Sequence, residues 1–574
     1  MLGLCCAFTL SGCKDSDFDF DNIDTLLGLG GEELALPGNN STRNIMLDDF
    51  LELNNSDFVH IADNGDYELN IDDDNVHTAS ATVEMIRIND PSITEGSIPL
   101  APGTGSGLLT IFDYSNRSVS ADIVDLQEMS TNVVIALNIN IPSTVRRIQN
   151  MVITMPDYLT LNNATIDGNT VPIAAGNNIQ LGSVLTGSHR LSVNVSKFTV
   201  GQPANDLGSA TFDASAHTVS MKGRISANIT LTQSDFTPEG LSQALAGKIS
   251  YIRSECSLTE LVANSARGRF SSAMDFGNLG EVSLNNVPNF LTDNDVNMEL
   301  YDPHIDLRVS NNAPMGGLVS GTLKSLDASG NVMASVAVPQ FTLLPGTSVV
   351  RLCKQNNAYG SDTVAVVVPT LTDLITKIPS RIEFTDIHAQ CDPSQTATID
   401  LGRDYNVDVR YGFNCPLQFD DDATIVYIDS MDGWNDGVKD LMFREVDGQV
   451  DGYLQVQADI ENTIPMYLTV TANAMDIDGN DISQNDMQVT VDKTIAASAD
   501  GVTPATTTVT IRMQPMNNQV FKRLDGLRLH LTGSAKDADG VNAVTGKTLN
   551  AYKQGLKATS IRGTKHGKVV FDAN

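Results

Sequence analysis

The sequence is poor in aromatic and in basic side chains. Aromatic residues make up 6% of its 574 positions, with a single tryptophan, Trp434. There are 36 Lys and Arg residues against 70 Asp and Glu, which gives a net charge of -34. The electrostatic field of this negative charge repels nucleic acid and anionic surfaces. Carbohydrate sites commonly stack sugars on Trp and Tyr, so the scarcity of aromatics also weakens a glycan-binding role.

Motifs for catalysis are missing as well. The sequence contains no glycine-rich phosphate loop, no His-Glu-x-x-His and no nucleophile elbow. Its eight histidines stand singly, as at His60, His217 and His388, and no pair has the spacing of metal ligands. We therefore expect that the protein is not an enzyme and that it requires no cofactor.

The clearest signal lies at the start of the chain. An apolar run from Met1 leads into Leu10-Ser11-Gly12-Cys13. Such a segment indicates export, and ten apolar residues are too few to span a bilayer, which takes roughly 20. Leu-Ser-Gly-Cys resembles the lipobox of bacterial lipoproteins. The resemblance implies that residues 1–12 are a signal peptide and that lipidated Cys13 anchors the chain to a membrane. No Lys or Arg precedes the apolar run, so we expect the signal peptide to be incomplete.

The segment after Cys13 is strongly acidic. Residues 14–21 read Lys-Asp-Ser-Asp-Phe-Asp-Phe-Asp, which is typical of a solvated tether. They also resemble the acidic export signal that directs surface lipoproteins of Bacteroidota to the outer leaflet of the outer membrane. The chain as a whole resembles large, uncharacterised β-rich surface lipoproteins of that group. This resemblance implies an outer-membrane location, lipid-anchored and facing the cell surface.

Four cysteines lie beyond the anchor, at positions 256, 353, 391 and 415. None of their spacings fits a zinc site. An even number in an exported chain permits disulfides, and joining 256 to 353 and 391 to 415 is the most local of three connectivities. The sequence leaves the disulfide state of these cysteines open.

Strand patterns dominate the rest of the chain. Leu191, Val193 and Val195 alternate with polar residues, which is the period-two pattern of a half-buried strand. Asp-Gly and Asn-Gly pairs typical of hairpin turns recur between apolar runs. Helical signal is limited to residues 238–252, 371–378 and 436–443. We predict a mainly β fold of tandem antiparallel β-sandwich-like domains with a few short helices.

The lipobox resemblance implies the first two of five segments, and composition predicts the limits of the other three. They are the signal peptide (1–12), the lipidated cysteine and acidic flexible tether (13–46), a β domain (47–200), a β domain with short helices (201–380) and a C-terminal β domain (381–574).

Two further sites are candidates. Asp476, Asp478, Asn480 and Asp481 place oxygen ligands on a tight turn, as a calcium site requires, although they do not complete an EF-hand loop. The acidic run 420–422 and the turn at 537–540 offer similar oxygens. Trp434, flanked by polar residues, is the best candidate for a contact with a sugar or a protein, and burial under a sheet edge is the alternative.

These patterns favour a non-enzymatic surface lipoprotein that acts as a binding, adhesive or scaffolding module. Its expected partners are the membrane, through the lipid anchor, and another outer-membrane protein, a host protein or a glycan. The first alternative is a lipid-handling β protein with an apolar groove, which predicts a large apolar cavity. The second is a polysaccharide hydrolase, which requires paired carboxylates beside sugar-stacking aromatics.

Overall fold

The computed structural model describes residues 27–29, 33–36, 41–51, 59–72, 75–89, 91–201, 205–276, 281–284, 295–356, 360, 362–439, 441–443 and 445–571. It is mostly β, with 62% of its residues in strands and 5% in helices. The predicted mainly β fold, with antiparallel sheets and a few short helices, is therefore confirmed. No helix in the described part of the chain is long and apolar enough to cross a membrane.

The strands are numbered in chain order. The first half of the chain contains β1 (Leu27–Leu29), β2 (Glu33–Leu36), β3 (Ile45–Met46), β4 (Val59–Ile61), β5 (Tyr67–Asp72), β6 (His77–Thr82), β7 (Ile86–Ile88), β8 (Ser92–Glu95), β9 (Ser97–Leu100), β10 (Gly103–Ser118), β11 (Ile123–Ile141), β12 (Arg147–Thr154), β13 (Leu159–Ile166), β14 (Asn169–Thr170), β15 (Ile173–Ala174), β16 (Asn178–Leu185), β17 (Gly187–Thr199), β18 (Gly208–Asp213), β19 (Thr218–Leu231), β20 (Ser250–Leu258), β21 (Leu261–Phe270) and β22 (Glu281–Ser283).

The second half contains β23 (His304–Asn311), β24 (Gly317–Leu326), β25 (Val332–Leu343), β26 (Gly346–Cys353), β27 (Thr363–Val367), β28 (Arg381–Cys391), β29 (Ala397–Asp400), β30 (Asp404–Pro416), β31 (Thr424–Met431), β32 (Leu441–Phe443), β33 (Glu445–Val446), β34 (Gln449–Val450), β35 (Tyr453–Asn462), β36 (Tyr467–Asp476), β37 (Met487–Val491), β38 (Ala505–Pro515), β39 (Leu524–Ser534), β40 (Gly555–His566) and β41 (Val569–Phe571).

The helices are shorter than the sequence pattern predicts. The α-helices are α1 (Leu47–Leu51), α2 (Pro238–Leu245) and α3 (Asn435–Val438), and 3-10 turns span Gln233–Asp235, Leu371–Leu374 and Val520–Lys522. The helix predicted to reach residue 252 ends at Leu245, because Gly247 adopts a φ of +77° and strand β20 begins at Ser250. The helix predicted over 436–443 gives way to strand β32.

Strand pairing defines three sandwiches that share most of their topology. In one sheet of the first sandwich, β11 lies between β17 on one side and β20 and β21 on the other. In the sheet that packs against it, β12 lies between β16 and β19. All of these pairs are antiparallel. Leu191, Val193 and Val195 of β17 are buried, as their alternation predicts.

The second sandwich repeats this arrangement. Strand β23 lies between β26 and β30, and β24 lies between β25 and β28. The two sheets face each other, because Leu307 and Tyr411 of one sheet and Leu323 and Phe384 of the other line the same apolar cavity.

The third sandwich places β35 between β38 and β40 and pairs β36 with β39. It differs in one strand, since β37 pairs with β38 on the opposite sheet and not with β36. Val456 of β35 and Leu529 of β39 line a shared cavity, so here too the sheets face each other.

A buried asparagine forms the corner after the first central strand in two of the sandwiches. Asn311 accepts the Ala313 N–H at 2.9 Å and donates to the Met315 and Leu344 carbonyls at 3.1 and 3.3 Å. Asn462 accepts the Ile464 N–H at 2.8 Å and donates to the carbonyls of residues 466 and 496 at 3.1 and 2.8 Å. Each side chain thus ties the corner to the loop before the fourth strand of its sandwich.

Strands from the first hundred residues complete the three sandwiches in reverse order. β2 and β3 pair with β40 of the third sandwich, β5 and β6 with β30 of the second, and β7 and β9 with β21 and β20 of the first. Gly555 permits the close approach of β3, because an added Cβ would lie 2.2 Å from the Ile45 carbonyl oxygen. The N-terminal segment therefore runs along all three sandwiches before their central strands begin.

The sandwiches follow one another end to end. At the end of the second sandwich that contains Asn311, its strand β29 pairs with β21 of the first sandwich. At the opposite end, Gln418 and Asn297 of the second sandwich form β-bridges with Thr548 and Thr424 of the third. At the far end of the third sandwich, β41 lies between β1 and β32. Strand β10 pairs with β19 across the predicted domain limit near residue 200, and β23 pairs with β30 across the predicted limit near residue 380. The domain limits themselves stay a prediction.

Candidate functional site

The predicted calcium ligands lie on the hairpin after β36. The Asp476 Oδ1 atom accepts the N–H groups of Asp478 at 3.0 Å and Asn480 at 2.9 Å. The Gly479 N–H donates to the Asp476 carbonyl at 2.9 Å, and this glycine has a φ of +79°. The carboxylate of Asp476 therefore caps its own turn.

The second sandwich forms the same turn with different side chains. Asp327 Oδ1 accepts the N–H groups of Ser329 and Asn331, each at 2.8 Å, and Gly330 has a φ of +84°. Asn331 also donates its side-chain amide to Asp327, and these hydrogen bonds lower the pKa of that carboxyl. Ser329 occupies the position that Asp478 has in the other turn. Capping of the turn by the first aspartate is therefore enough to explain the spacing of polar residues that the two hairpins share.

Asp481 forms an ion pair across the sheet. Arg528 Nη1 lies 2.5 Å from its Oδ1 atom, Arg528 Nη2 donates to the Gly479 carbonyl at 2.8 Å, and Asn473 donates to Asp481 Oδ2 at 3.0 Å. Among the described residues, no group of three or more His, Cys, Asp or Glu side chains could hold a metal ion. Calcium at Asp476, Asp478, Asn480 and Asp481 stays a prediction.

Trp434 lies at the start of α3 and is half-buried against the hydrophobic cluster of the third sandwich. Its backbone N–H donates to the Asp525 carbonyl at 2.8 Å. The Asp525 carboxylate accepts the N–H groups of Gly433 at 3.2 Å and Asn435 at 2.9 Å. Asp525 therefore fixes the backbone on both sides of Trp434. The position combines packing with partial exposure, and the predicted sugar or protein contact stays a prediction.

The two predicted sites meet across the start of β39. This strand lies between β31, which precedes Trp434, and β36, which ends at Asp476. The Ile477 N–H donates to the Arg523 carbonyl at 3.1 Å, two residues from the Asp525 carbonyl that accepts from Trp434. Arg523 also pairs with Asp486. We call this loop cluster, residues 432–438, 476–486 and 520–528, the β39 end.

Sequence reasoning missed the residues that organise the β39 end. Asp525 lies about 90 positions after Trp434, and Arg528 lies 47 positions after Asp481. Both are common residue types at unremarkable places in the chain, so no local pattern distinguishes them. The antiparallel register of β39 with its two neighbours brings them to the site.

The acidic run 420–422 binds lysines. Lys354 lies 2.6 Å from Asp420, while Lys536 lies 2.9 Å from Asp421 and 2.8 Å from Asp422. The hydrogen bonds that Lys536 donates to Asp422 and Asp421 raise its pKa to about 12. These contacts join the second sandwich to the loop after β39.

The structure has thiols at all four cysteines of the folded part, and none of the four forms a disulfide with another. Burial raises the pKa of Cys256 and of Cys391 to about 11 each, and it also raises the pKa of Cys415. A raised pKa keeps a thiol protonated near neutral pH, so these groups are poor nucleophiles and poor metal ligands.

One histidine has a carboxylate partner typical of catalytic sites. His189 Nδ1 lies 2.7 Å from Asp167 Oδ2, but its Nε2 lies 2.9 Å from the Leu185 carbonyl oxygen. Both ring nitrogens therefore face acceptors, so neither is placed to take a proton from a nucleophile. That the protein is not an enzyme stays a prediction.

The described interior contains small apolar cavities between the facing sheets. The cavity of the second sandwich is about 30 Å³, and those of the third are about 50 and 40 Å³. Pockets that enclose drug-sized ligands are on the order of 300–1,000 Å³. None of these three cavities has room for an acyl chain, and the lipid-handling alternative stays a prediction.

No protein-family model matches the sequence, and no curated protein matches it either. Among solved structures, a presumed secreted protein from Parabacteroides distasonis is 14% identical, with a TM-score of 0.35, and the match covers 53% of this chain and 83% of that chain. The VP2 subviral particle of infectious bursal disease virus is 9% identical, with a TM-score of 0.13, and covers 88% and 89%. Likeness at this level carries no argument about function.

Proposed function

We propose that the protein is a lipid-anchored lipoprotein of the outer membrane that faces the cell surface and acts as a non-enzymatic binding, adhesive or scaffolding module. The anchor is Cys13, which lies outside the described residues. Its support is the Leu-Ser-Gly-Cys sequence and the acidic tether that follows it. Another outer-membrane protein, a host protein or a glycan is the partner.

One structural observation carries the proposal. Leu27–Leu29 pairs antiparallel with Val569–Phe571, at the far end of the third sandwich. The 13 residues between Cys13 and Leu27 reach at most about 50 Å when fully extended. An anchor at Cys13 would therefore attach the chain at the outer end of the third sandwich and limit the distance of that end from the membrane to about 50 Å, with the first sandwich at the opposite end. This is the arrangement that a displayed binding module needs.

Replacement of the anchor tests the proposal. We expect the variant Cys13→Ala to leave the membrane fraction, because lipid chains supply the attachment at about 0.8 kcal/mol per buried methylene. The matched control is Cys5→Ala with Cys6→Ala, which alters two cysteines of the same segment and leaves the predicted lipidation site intact. Retention of the Cys13 variant in membranes, or equal loss of the control, would contradict the anchor.

Protease treatment of intact cells tests the location. We expect digestion of the exposed chain to proceed from the first sandwich, detected with an epitope tag in the loop at residue 214 and a second tag after residue 574. Complete protection of both tags, with digestion only after the cells are opened, would place the protein on the inner side of the membrane.

A further inference from the structure

The second sandwich has an open edge at β25. In the part of the chain that the structure describes, β25 pairs only with β24 and lies at the end of its sheet. Its first seven residues read Val-Met-Ala-Ser-Val-Ala-Val, and Pro339, which lacks an N–H, follows them within the same strand. Val332 is 55% and Met333 is 43% exposed. A row of backbone N–H and C=O groups along an edge strand can pair with another extended chain.

The corresponding strands of the other sandwiches are protected. In the first, β15 pairs with the start of β16, and Gly182, with a φ of +65°, breaks the register of that strand. In the third, β37 has five residues and is flanked by Asp486 and Asp492. Bulges, short edges and charges are the usual means of preventing unwanted strand pairing. The first seven residues of β25 carry no charge and no proline, and beyond the bulge at Met333 the stretch from Ala334 to Val338 keeps an unbroken register with β24.

Strands β25 and β27 carry no charge, whereas the 3-10 turn Leu371–Leu374, which also lies beside β25, contains the exposed Asp373. No Asp, Glu, Lys or Arg occurs between residues 328 and 350, and none occurs in β27, which lies beside β25 and exposes Val367. The surrounding sandwich is strongly acidic, with 19 Asp and Glu against 8 Lys and Arg between residues 281 and 431. Uncharged, strand-forming segments of this length aggregate when they remain exposed.

We propose that the open edge of β25, from Val332 to Val338, is a docking site for an extended strand of a partner protein. The paired stretch of the partner is uncharged, because a buried charge would have no counterpart along β25. Its flanks are cationic, because the surface beyond the edge is acidic. Main-chain hydrogen bonds supply the affinity, as in other cases of strand addition.

A second copy of this chain fits the edge less well. Two chains of net charge -34 repel each other. Antiparallel pairing of β25 with itself would also point the two molecules in opposite directions, with their Cys13 anchors at opposite ends. This last argument rests on the proposed function, since only anchored copies must face the same way.

A peptide that copies β24 is the probe, because this sequence already pairs with the inner edge of β25. The peptide Gly-Leu-Val-Ser-Gly-Thr-Leu-Lys-Ser-Leu is uncharged except for one lysine. We expect it to bind the full-length Cys13→Ala chain in fluorescence anisotropy and to slow amide hydrogen exchange in residues 332–338. A version N-methylated at alternate residues keeps the side chains but lacks half of the N–H donors, and we expect its binding to be at least about tenfold weaker.

A variant with two lysines on the edge of β25 provides a second test. We expect Met333→Lys with Ala337→Lys to weaken the peptide at least about tenfold, because lysines on an edge strand oppose pairing with a cationic strand. The matched control, Gln488→Lys with Thr490→Lys, adds two lysines to exposed positions of β37 and leaves binding unchanged.

Absence of peptide binding, equal binding of the N-methylated peptide, protection outside β25 or a stable dimer joined through β25 would each overturn the proposal. None of these results depends on the anchor, because the chain used already lacks it. Loss of the docking site and loss of the proposed lipid attachment are therefore separate outcomes.

Discussion

The second and third sandwiches contain the same asparagine corner and the same aspartate-capped hairpin, but they differ in one strand. Asn311 and Asn462 make equivalent sets of three hydrogen bonds, and Asp327 and Asp476 cap equivalent hairpins. The strand after the hairpin is 12 residues long and open in the second sandwich, and five residues long in the third. The shared parts therefore serve folding, and the strand that differs is the place to look for function.

The largest expected effect concerns the corner. Asn462→Ala leaves one N–H and two carbonyl groups buried without their partner, which we expect to destabilise the third sandwich by about 3 kcal/mol. Trp434, as the single tryptophan, reports unfolding of this sandwich through its fluorescence in denaturant. The matched variant Asn311→Ala should cost a similar amount in the second sandwich and leave the fluorescence transition in place. Equal shifts of that transition would show that the sandwiches unfold as one unit.

The next largest effect concerns the β39 end of the third sandwich. Asp525→Ala removes the acceptor for the N–H groups of Gly433 and Asn435. We expect a loss of about 1–2 kcal/mol, as for a lost helix cap, and a red shift of Trp434 emission as its segment loosens. Asp537→Ala is the control, since it removes a turn cap at the opposite end of the same sandwich. An unchanged emission spectrum in the Asp525 variant would contradict the assigned role.

The hairpin caps test the calcium prediction. In the absence of calcium, we expect Asp476→Ala and Asp327→Ala each to destabilise its own hairpin, because both carboxylates accept two backbone N–H groups. Site-resolved hydrogen exchange measures each hairpin separately. If calcium binds at Asp476, its addition slows exchange in the third sandwich only, and Asp476→Ala abolishes this effect. Equal exchange with and without calcium would dismiss the metal.

The smallest effect extends the comparison to the first sandwich. There Ile141 occupies the position of the two asparagines, and the corner is joined to Asp235, whose carbonyl accepts the Arg146 N–H at 2.7 Å. The hydrogen bond from Arg147, with others from Thr232, lowers the pKa of the buried Asp235 carboxyl to about 2. A lowered folded-state pKa means that its stabilisation is present above the unfolded value near 3.8 and is lost as the pH falls towards 2.

We therefore expect acid to loosen the corner of the first sandwich before it affects the asparagine corners, which do not titrate. Hydrogen exchange of residues 142–147 between pH 4 and pH 2, corrected for intrinsic rates, measures this difference. The variant Asp235→Asn should remove the pH dependence. A loss of protection at all three corners at the same pH would contradict it.

The sequence predicted the strands well because burial has a period of two, as in Leu191 to Val195. It also located the hairpin at Asp476, where the turn residues are adjacent in the chain. It could not predict that Asp525 meets Trp434, because no local pattern encodes the register of three strands. It missed the repeat as well, since Asn311 and Asn462 share only a short motif, Asn-x-x-Pro-Met, at a distance of 151 residues.

The N-terminal segment has a consequence for how the chain is made. The Thr42 hydroxyl accepts the N–H of Ala558, 516 residues later, and β3 pairs with the same strand. Contacts of such long sequence separation form late in folding. Because the N-terminal end of a chain is synthesised first, β2 and β3 must wait until the last strands have been made. The third sandwich thus closes only on a complete chain, and a truncated product is left with an unpaired N-terminal segment that proteases can recognise.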